Sequence, residues 1–412
     1  MSPSQRLVAL LVALLPTATQ VGCTAAAGNA DAVTGGTITI GVDLPLSGAD
    51  ASDGVPTANA VRLALNDAND DNLVPGFKLQ ADVRDDTVKG VHDPQKGTSN
   101  FDSFVTDPTD LGVIGPLNSN VAQALIPISN QDSLALISPA NTSPELTKGP
   151  QALALRKAHP LEITYFRVCP TDDVQGSAGA AFAYKTLGAR RAFVIDDGQT
   201  FGRGVADQWA GEFRSQGGTV LDHVHALPTQ TDFRSTIANA ATSGADIIFF
   251  GGESSTGAAV ARKEMAGTAI AHVTYASGDG IQNQQFLDVA GAESENSYAT
   301  VASANAEELP TAATFVKEYK EAYGQSDGAY SANAYVATMV LVNAIAKAVR
   351  QDNGRMPTRE EVLDMLRGTS NFNSILGIFS FDQNGDTTLK IVSVWKAKNK
   401  RWTFLTQRDF AK

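Results

Sequence analysis

The sequence predicts an α/β protein with two doubly wound lobes, because apolar strands alternate with helix-length segments in two separate runs. The first run begins near Thr37 and the second near Arg190. Between Leu111 and Leu146, the strand LGVIG enters the turn PLNSN, and the strand LALIS enters PANTSPEL. A helix-length segment over 121–130 separates them, so this region indicates a βαβ unit whose parallel strands end at one sheet edge.

The remaining elements follow from periodicity and turn residues. In the first run, the strand TITIGVDLP precedes a helix predicted over 56–68, and the alternating strand 77–83 follows a Pro-Gly turn. The second run contains the strands ARRAFVI, TVLDHVHA, ADIIFFGG and HVTYA, separated by helices predicted over 205–216, over 233–243 and up to Gly267. Helices over 311–324, 332–350 and 358–368 and a C-terminal hairpin, IFSFDQNGDTTLKIVSVW, complete the chain.

Composition limits the possible partners. The chain has 412 residues, of which 43% are hydrophobic, enough for two or three domains with sizeable cores. Its 44 acidic and 32 basic residues give a formal charge of -12, which argues against nucleic acid as a partner.

The N-terminus has the layout of a secretory signal, with Arg6, a short apolar run and small residues up to Gly22. We expect residues 1–22 to be a signal peptide and Cys23 to be lipidated, with 23–36 as a lipid-anchor tether and no other contact with the membrane. Ordinary cleavage nearby is the alternative. Either way the protein is extracytoplasmic, and with Cys23 lipidated Cys169 has no disulfide partner.

Catalytic and metal-binding motifs are scarce. There is no HExxH, no nucleophile elbow, no Walker A loop and no full GxGxxG, so we expect neither an enzyme nor a cofactor or metal site. His223 and His225 alternate along a strand, which is more typical of a surface pair than of a metal site. The segment 382–386 could suggest a calcium loop, but a β-turn is favoured because the EF-hand positions do not match.

Ser119 and Thr142 follow the two strands of the βαβ unit, at or near helix N-termini. Free N–H groups and the helix dipole favour an anion there, so we expect a ligand with a small anionic group such as a carboxylate. A capping role for both hydroxyls is the alternative.

Several motifs in order resemble the periplasmic substrate-binding proteins for branched-chain amino acids: VDLPLSG, AVRLALNDAN, IGPLNSN, ISPANTSPELT, FRVCPTDDVQG, DDGQTFGRG, TDFRSTI and FFGG. The resemblance covers about 37–407. It implies the type I fold, with two Rossmann-like lobes joined by three crossovers, which we place near Arg167, Ala302 and Ser374. The first lobe would then contain 37–167 and 303–374, and the second 168–302 and 375–412.

The resemblance also assigns ligand-binding roles to individual residues. Ser119, the backbone at Ala140 and the hydroxyl and N–H of Thr142 match the positions that hold the amino-acid carboxylate and amino group. Asp279 matches the acidic residue for the ligand ammonium, and Phe201 an aromatic that packs on the ligand. A turn role for Asp279 and a core role for Phe201 are the alternatives.

Two positions depart from the family. Asp53 and Glu253 stand where the family usually has pocket aromatics, so two acids replace two rings. If both face the cleft, they favour a cationic or strongly polar ligand, since buried carboxylates need partners. The alternative is that the loops have shifted and both acids are solvated. The cysteine pair common in the first lobe of relatives is also absent.

The resemblance therefore predicts a monomeric solute-binding component of an ABC importer, which binds an amino acid or related small carboxylate and delivers it to permease subunits. Two alternatives stay open. One is a ligand-sensing receptor subunit of the same fold, and the other is a binder of a more polar solute such as an amide or polyamine.

Overall fold

The computed structural model describes residues 35–411. The predicted signal peptide, Cys23 and nearly all of the predicted tether lie outside the described residues. The described chain forms two α/β lobes, each built on its own sheet, which confirms the predicted fold class.

The first lobe contains a five-stranded parallel sheet in the order β2-β1-β5-β6-β7. The central strand β5 is buried on both faces because helices cover both sides of the sheet. Its elements are β1 (Gly36–Leu44), α1 (Ala51–Asp70), β2 (Phe77–Asp85), β3 (Thr87–Val88), β4 (Val91–His92), α2 (Pro94–Thr106), β5 (Asp110–Ile114), α3 (Ser119–Asp132), β6 (Leu136–Ser138), α4 (Gly149–Leu155) and β7 (Tyr165–Arg167).

The second lobe repeats this winding in the order β9-β8-β10-β11-β12. In both sheets the strand order reverses beside the first strand, which is where doubly wound folds bind ligands. Its elements are α5 (Asp172–Lys185), β8 (Arg191–Asp196), α6 (Thr200–Ser215), β9 (Thr219–His225), α7 (Arg234–Ser243), β10 (Ile247–Gly251), α8 (Ala259–Glu264), β11 (Thr274–Ser277), α9 (Gln284–Ala290) and β12 (Ser297–Val301).

The chain then returns to the first lobe and finally adds two antiparallel strands, β15 and β16, beside β12. The elements of this last part are α10 (Ala313–Tyr323), α11 (Ser331–Gln351), α12 (Arg359–Arg367), β13 (Phe372–Ser374), β14 (Gly377–Phe379), β15 (Ile391–Lys398) and β16 (Arg401–Asp409).

Helix α11 is the centre of the first lobe's core. By length and composition it is the one helix among residues 35–411 that could cross a membrane, but 78% of its most apolar window is buried inside the protein. An apolar helix surrounded by protein on all sides is a core helix. The apolar run is therefore explained by packing against α1 and the first sheet.

Two C-terminal predictions are wrong. IFSF and IVSVW do not form a hairpin with each other: β14 pairs with β13, and β15 pairs with β16 and β12. The third crossover also lies later than Ser374, because Phe379 and Phe381 still pack in the first lobe's core and Asp386 bridges to Arg167 of β7. The chain reaches the second sheet only at Ile391.

Candidate functional site

A cavity lies at the carboxyl ends of the parallel strands of both sheets, between the two lobes. Its wall contains all seven predicted site residues: Asp53, Ser119, Ala140, Thr142, Phe201, Glu253 and Asp279. The first four follow strands β1, β5 and β6 of the first lobe, and the other three follow β8, β10 and β11 of the second. Five further residues complete the wall: Leu117, Asn118, Gly280, Ala329 and Tyr330.

The first lobe presents hydroxyl and backbone groups to the cavity. Ser119 is the first residue of α3, and Thr142 lies in the loop after β6 with a buried hydroxyl beside the carboxyl of Asp172. The N–H of Ala140 already donates to Ser138 Oγ, at 3.1 Å. Ala140 therefore keeps its carbonyl, but not its N–H, for another group.

Arg167 holds this loop in shape. Its fully buried guanidinium donates to the carbonyls of Asn141 (2.9 Å) and Ser143 (2.7 Å), on either side of Thr142. It also donates to Asp386 Oδ1 at 2.7 Å. Burial alone would raise the pKa of Asp386, but the Arg167 charge holds it below its usual value. The 382–386 turn predicted from sequence thus ends in a residue that supports the site.

The second lobe adds acidic groups to the cavity wall. Asp279 begins a short 3-10 turn after β11, and Gln175 of α5 donates a hydrogen bond to its Oδ1. Burial raises the pKa of Asp279 to about 6, although the Gln175 bond opposes the rise. Tyr330 reaches the cavity from the N-terminal end of α11.

Gly280 lets the two acidic loops of the second lobe meet. A Cβ at this position would lie 2.5 Å from the Gly252 carbonyl and 2.9 Å from Glu253 Cγ. Any side chain would therefore push the β10 and β11 loops apart, and with them Glu253 and Asp279.

Asp53 and Glu253 line the cavity from opposite lobes, so the expectation that both acids are solvated is wrong. Asp53 Oδ2 accepts a bond from Asn283 of the second lobe at 2.7 Å. Glu253 Oε1 accepts one from Asn118 of the first lobe at 2.8 Å. Burial, with repulsion from Asp50 and Glu253, holds the pKa of Asp53 well above its usual value, and burial raises that of Glu253 to about 7.

His92 carries positive charge beside these acids. Its Nδ1 lies 2.8 Å from Asp50 Oδ2 and 3.5 Å from Glu253 Oε2, and its Nε2 lies 3.0 Å from Gln199 Oε1 of the second lobe. Burial alone would lower the pKa of His92, but the Glu253 and Asp50 carboxylates raise it to about 10. The imidazolium therefore links the lobes at neutral pH.

Sequence reasoning missed several of these groups. His92 sits in the short β4 strand, which carries no motif, and its partners are distant in sequence. Tyr330 directly precedes the apolar helix α11. An aromatic residue at the start of a helix was the sequence feature that could have identified it. Phe201 satisfies both interpretations, since it packs in the second lobe's core and also lines the cavity.

Two groups of imidazole and carboxylate ligand atoms lie close enough together to hold a metal ion. One is Asp50, His92 and Glu253, where both imidazole nitrogens already face protein partners. The other is Asp196, His223 and His225, outside the cavity wall. The cavity itself combines hydroxyls of the first lobe with carboxyls from both lobes, which suits a zwitterion.

Comparison with known proteins gives a consistent result. The family model described as "Periplasmic binding protein" matches residues 37–400. The Leu/Ile/Val-binding protein homolog 1 of Brucella suis is 25% identical over 373 residues, covering 90% of this chain and 94% of that protein. The Leu/Ile/Val-binding protein BraC3 of Rhizobium johnstonii is 26% identical over 361 residues, covering 87% and 91%.

Among solved structures, the leucine binding protein LivK from Thermotoga maritima matches with a TM-score of 0.77 and 27% identity, covering 90% of this chain and 98% of that chain. The range matched by the family model includes every residue of the cavity wall.

Proposed function

The chain belongs to the periplasmic binding protein family, and on that premise we propose that it is the extracytoplasmic solute-binding component of an ABC importer. Its ligand is an amino acid or a related small carboxylate, held in the cavity between the lobes and released without chemical change. The ligand passes to permease subunits, and the protein acts as a monomer.

The observation that carries this proposal is that hydroxyls suited to an anion and a carboxyl suited to a cation line the same cavity. Ser119 and Thr142 come from the first lobe and Asp279 from the second. A carboxylate accepts bonds from the hydroxyls and from the N-terminus of α3, while the ammonium pairs with Asp279. Contacts from both lobes favour the closed arrangement once the ligand is bound.

The acids at Asp53 and Glu253 set a preference for the ligand's side chain. An apolar side chain would leave both carboxyls buried without a polar partner from the ligand, at a cost that a cationic or hydrogen-bonding side chain avoids. His92 offsets part of the charge of Glu253, but the Asp53 carboxyl has only Asn283 as a hydrogen-bond donor among residues 35–411. We therefore favour an α-amino acid with a cationic or strongly polar side chain over leucine.

A thermal-shift screen followed by calorimetry tests the proposal. The panel contains leucine, glutamine, ornithine, the diamine putrescine, benzoate and glucose. A ligand that binds only the folded protein raises the melting temperature with RT ln(1 + [L]/Kd). We expect the largest rise for glutamine or ornithine and a smaller one for leucine. A response to glucose with none to any zwitterion would overturn the assignment.

We further propose that Cys23 carries the lipid that holds the protein at the membrane surface. A lipid-modified cysteine with several chains anchors stably, whereas one chain binds only weakly. Detergent-phase partitioning of the full chain should be lost in Cys23→Ser. Equal partitioning of both forms would instead indicate a secreted protein.

A further inference from the structure

Two histidines and an aspartate meet at the edge of the second sheet, outside the cavity wall. Asp196 ends β8, and His223 and His225 lie two residues apart on the neighbouring edge strand β9. In the parallel register Asp196 stands directly opposite His225. Residues two apart share one face of a strand, so both imidazoles reach the same carboxylate.

The three candidate ligand atoms already lie close together. His223 Nε2 lies 2.9 Å and His225 Nδ1 lies 2.5 Å from the same oxygen, Asp196 Oδ2. All three lie within 4.8 Å of one another. Bonds to Zn²⁺ are about 2.0 to 2.2 Å for imidazole and carboxylate, so small side-chain rotations suffice to surround an ion.

Burial and the surrounding groups suit a bound ion. Asp196 is fully buried and His223 nearly so, whereas the His225 side chain is 54% exposed, which gives access from solvent. The other nitrogen of His223, Nδ1, lies 3.7 Å from Asp207 Oδ1 of α6, which is an ion-pair distance and too long for a hydrogen bond.

From this geometry we infer that His223 Nε2, His225 Nδ1 and Asp196 form a binding site for a divalent transition metal of the Zn²⁺ class. Two imidazoles select Zn²⁺, Co²⁺ or Ni²⁺ over Mg²⁺ and Ca²⁺, which prefer oxygen ligands. Three protein ligands leave one position for water. The Asp50, His92 and Glu253 group differs, because it offers only one imidazole.

Calorimetric titration of the tag-free, chelator-treated protein with Zn²⁺ tests the inference, with Co²⁺ absorption as a second readout. We expect one ion per chain, no heat with Mg²⁺, and a visible Co²⁺ band typical of a four-coordinate site. His223→Ala and His225→Ala should each weaken Zn²⁺ binding at least tenfold.

His272→Ala is the matched control, because it removes an exposed histidine of the same lobe that lies outside the cluster. This variant should bind Zn²⁺ like the parent chain. Circular dichroism without metal should show that all variants fold. Absence of Zn²⁺ binding to the parent chain, or equal binding in the folded His223→Ala and His225→Ala variants, would overturn the inference.

Discussion

Arg167 connects the ligand-facing loop of the first lobe to a part of the chain 219 residues away, through Asp386. Both partners are almost completely buried. Removing one partner of such a pair leaves an unpaired buried charge, which typically costs about 3 to 5 kcal/mol. The position of Thr142 in the cavity therefore depends on the third crossover as well as on its own loop.

Asp279 is the residue whose replacement should most directly weaken binding. Asp279→Ala should lose about 2 to 5 kcal/mol of affinity for the best amino acid of the screen, because the ligand ammonium is left buried without its carboxylate. Isothermal titration calorimetry measures the loss, and thermal unfolding without ligand shows whether the variant folds.

Asp288→Ala is the control for this experiment, since it removes an exposed acid from the following helix α9. Its affinity should equal that of the parent chain. Unchanged affinity in Asp279→Ala would show that this acid serves only the turn after β11.

The seven site residues could be predicted because each follows a strand at the ligand-binding edge, or matches a family motif. The residues that contact them could not be predicted in this way. His92 meets Glu253 across the cleft, and Tyr330 enters from the return segment, so both depend on how the lobes close. The local bond from the Ala140 N–H to Ser138, which leaves the Ala140 carbonyl as the available backbone group, could not be predicted either.

At the scale of elements, α11 carries much of the first lobe's stability. Leu341 is fully buried, and a Cβ on Gly112 of β5 would lie only 2.9 Å from its methyl groups, so helix and sheet are in tight contact. Leu341→Ala should lower the free energy of unfolding by about 2 to 5 kcal/mol, because it removes buried methyl groups and leaves a cavity. Urea denaturation followed by circular dichroism measures this.

Leu161→Ala provides the same chemical change at a side chain that is 97% exposed. Its free energy of unfolding should stay within about 0.5 kcal/mol of the parent value. Equal stability of the two variants would show that the contact between α11 and β5 contributes little.

Helices and parallel strands were predictable because their apolar periodicity is local. The C-terminal strands were not. IFSF and IVSVW have the same alternating pattern, and a turn lies between them, so the local sequence favours a hairpin. Their true partners, β13 and β12, are set by which lobe each segment packs against.

At the scale of the whole molecule, the lobes are joined across the cleft by polar contacts between side chains. Asn120 Nδ2 donates to Gln199 Oε1 at 2.8 Å, and Thr200 Oγ1 donates to Gln123 Oε1 at 3.0 Å. The bonds of Asp53, Glu253 and His92 described above also cross the cleft. The described arrangement is therefore a closed one, and the ionisation of these groups must affect how easily it opens.

We predict that the ligand-free protein is more closed at pH 5 than at pH 9.5. A group whose pKa is higher in the closed form binds its proton more tightly there, so its contribution to closure is lost as the pH rises through that raised pKa. The pKa of Glu253 rises from 4.5 to about 7 and that of His92 from 6.5 to about 10. The pKa values of Asp53 and Asp279 are also raised and act in the same direction. Among these five cleft residues, the pKa of Asp50 alone is lowered, which matters at more acid pH.

Small-angle scattering across this pH range measures the radius of gyration, which should increase with pH. Glu253→Gln keeps an oxygen for Asn118 but cannot ionise, and it should remove the change between pH 5 and 7. His92→Gln should remove the change above pH 7, whereas His159→Gln, at an exposed position, should leave the profile intact. A radius of gyration that stays constant in the parent chain from pH 5 to 9.5 would show that these groups do not control closure.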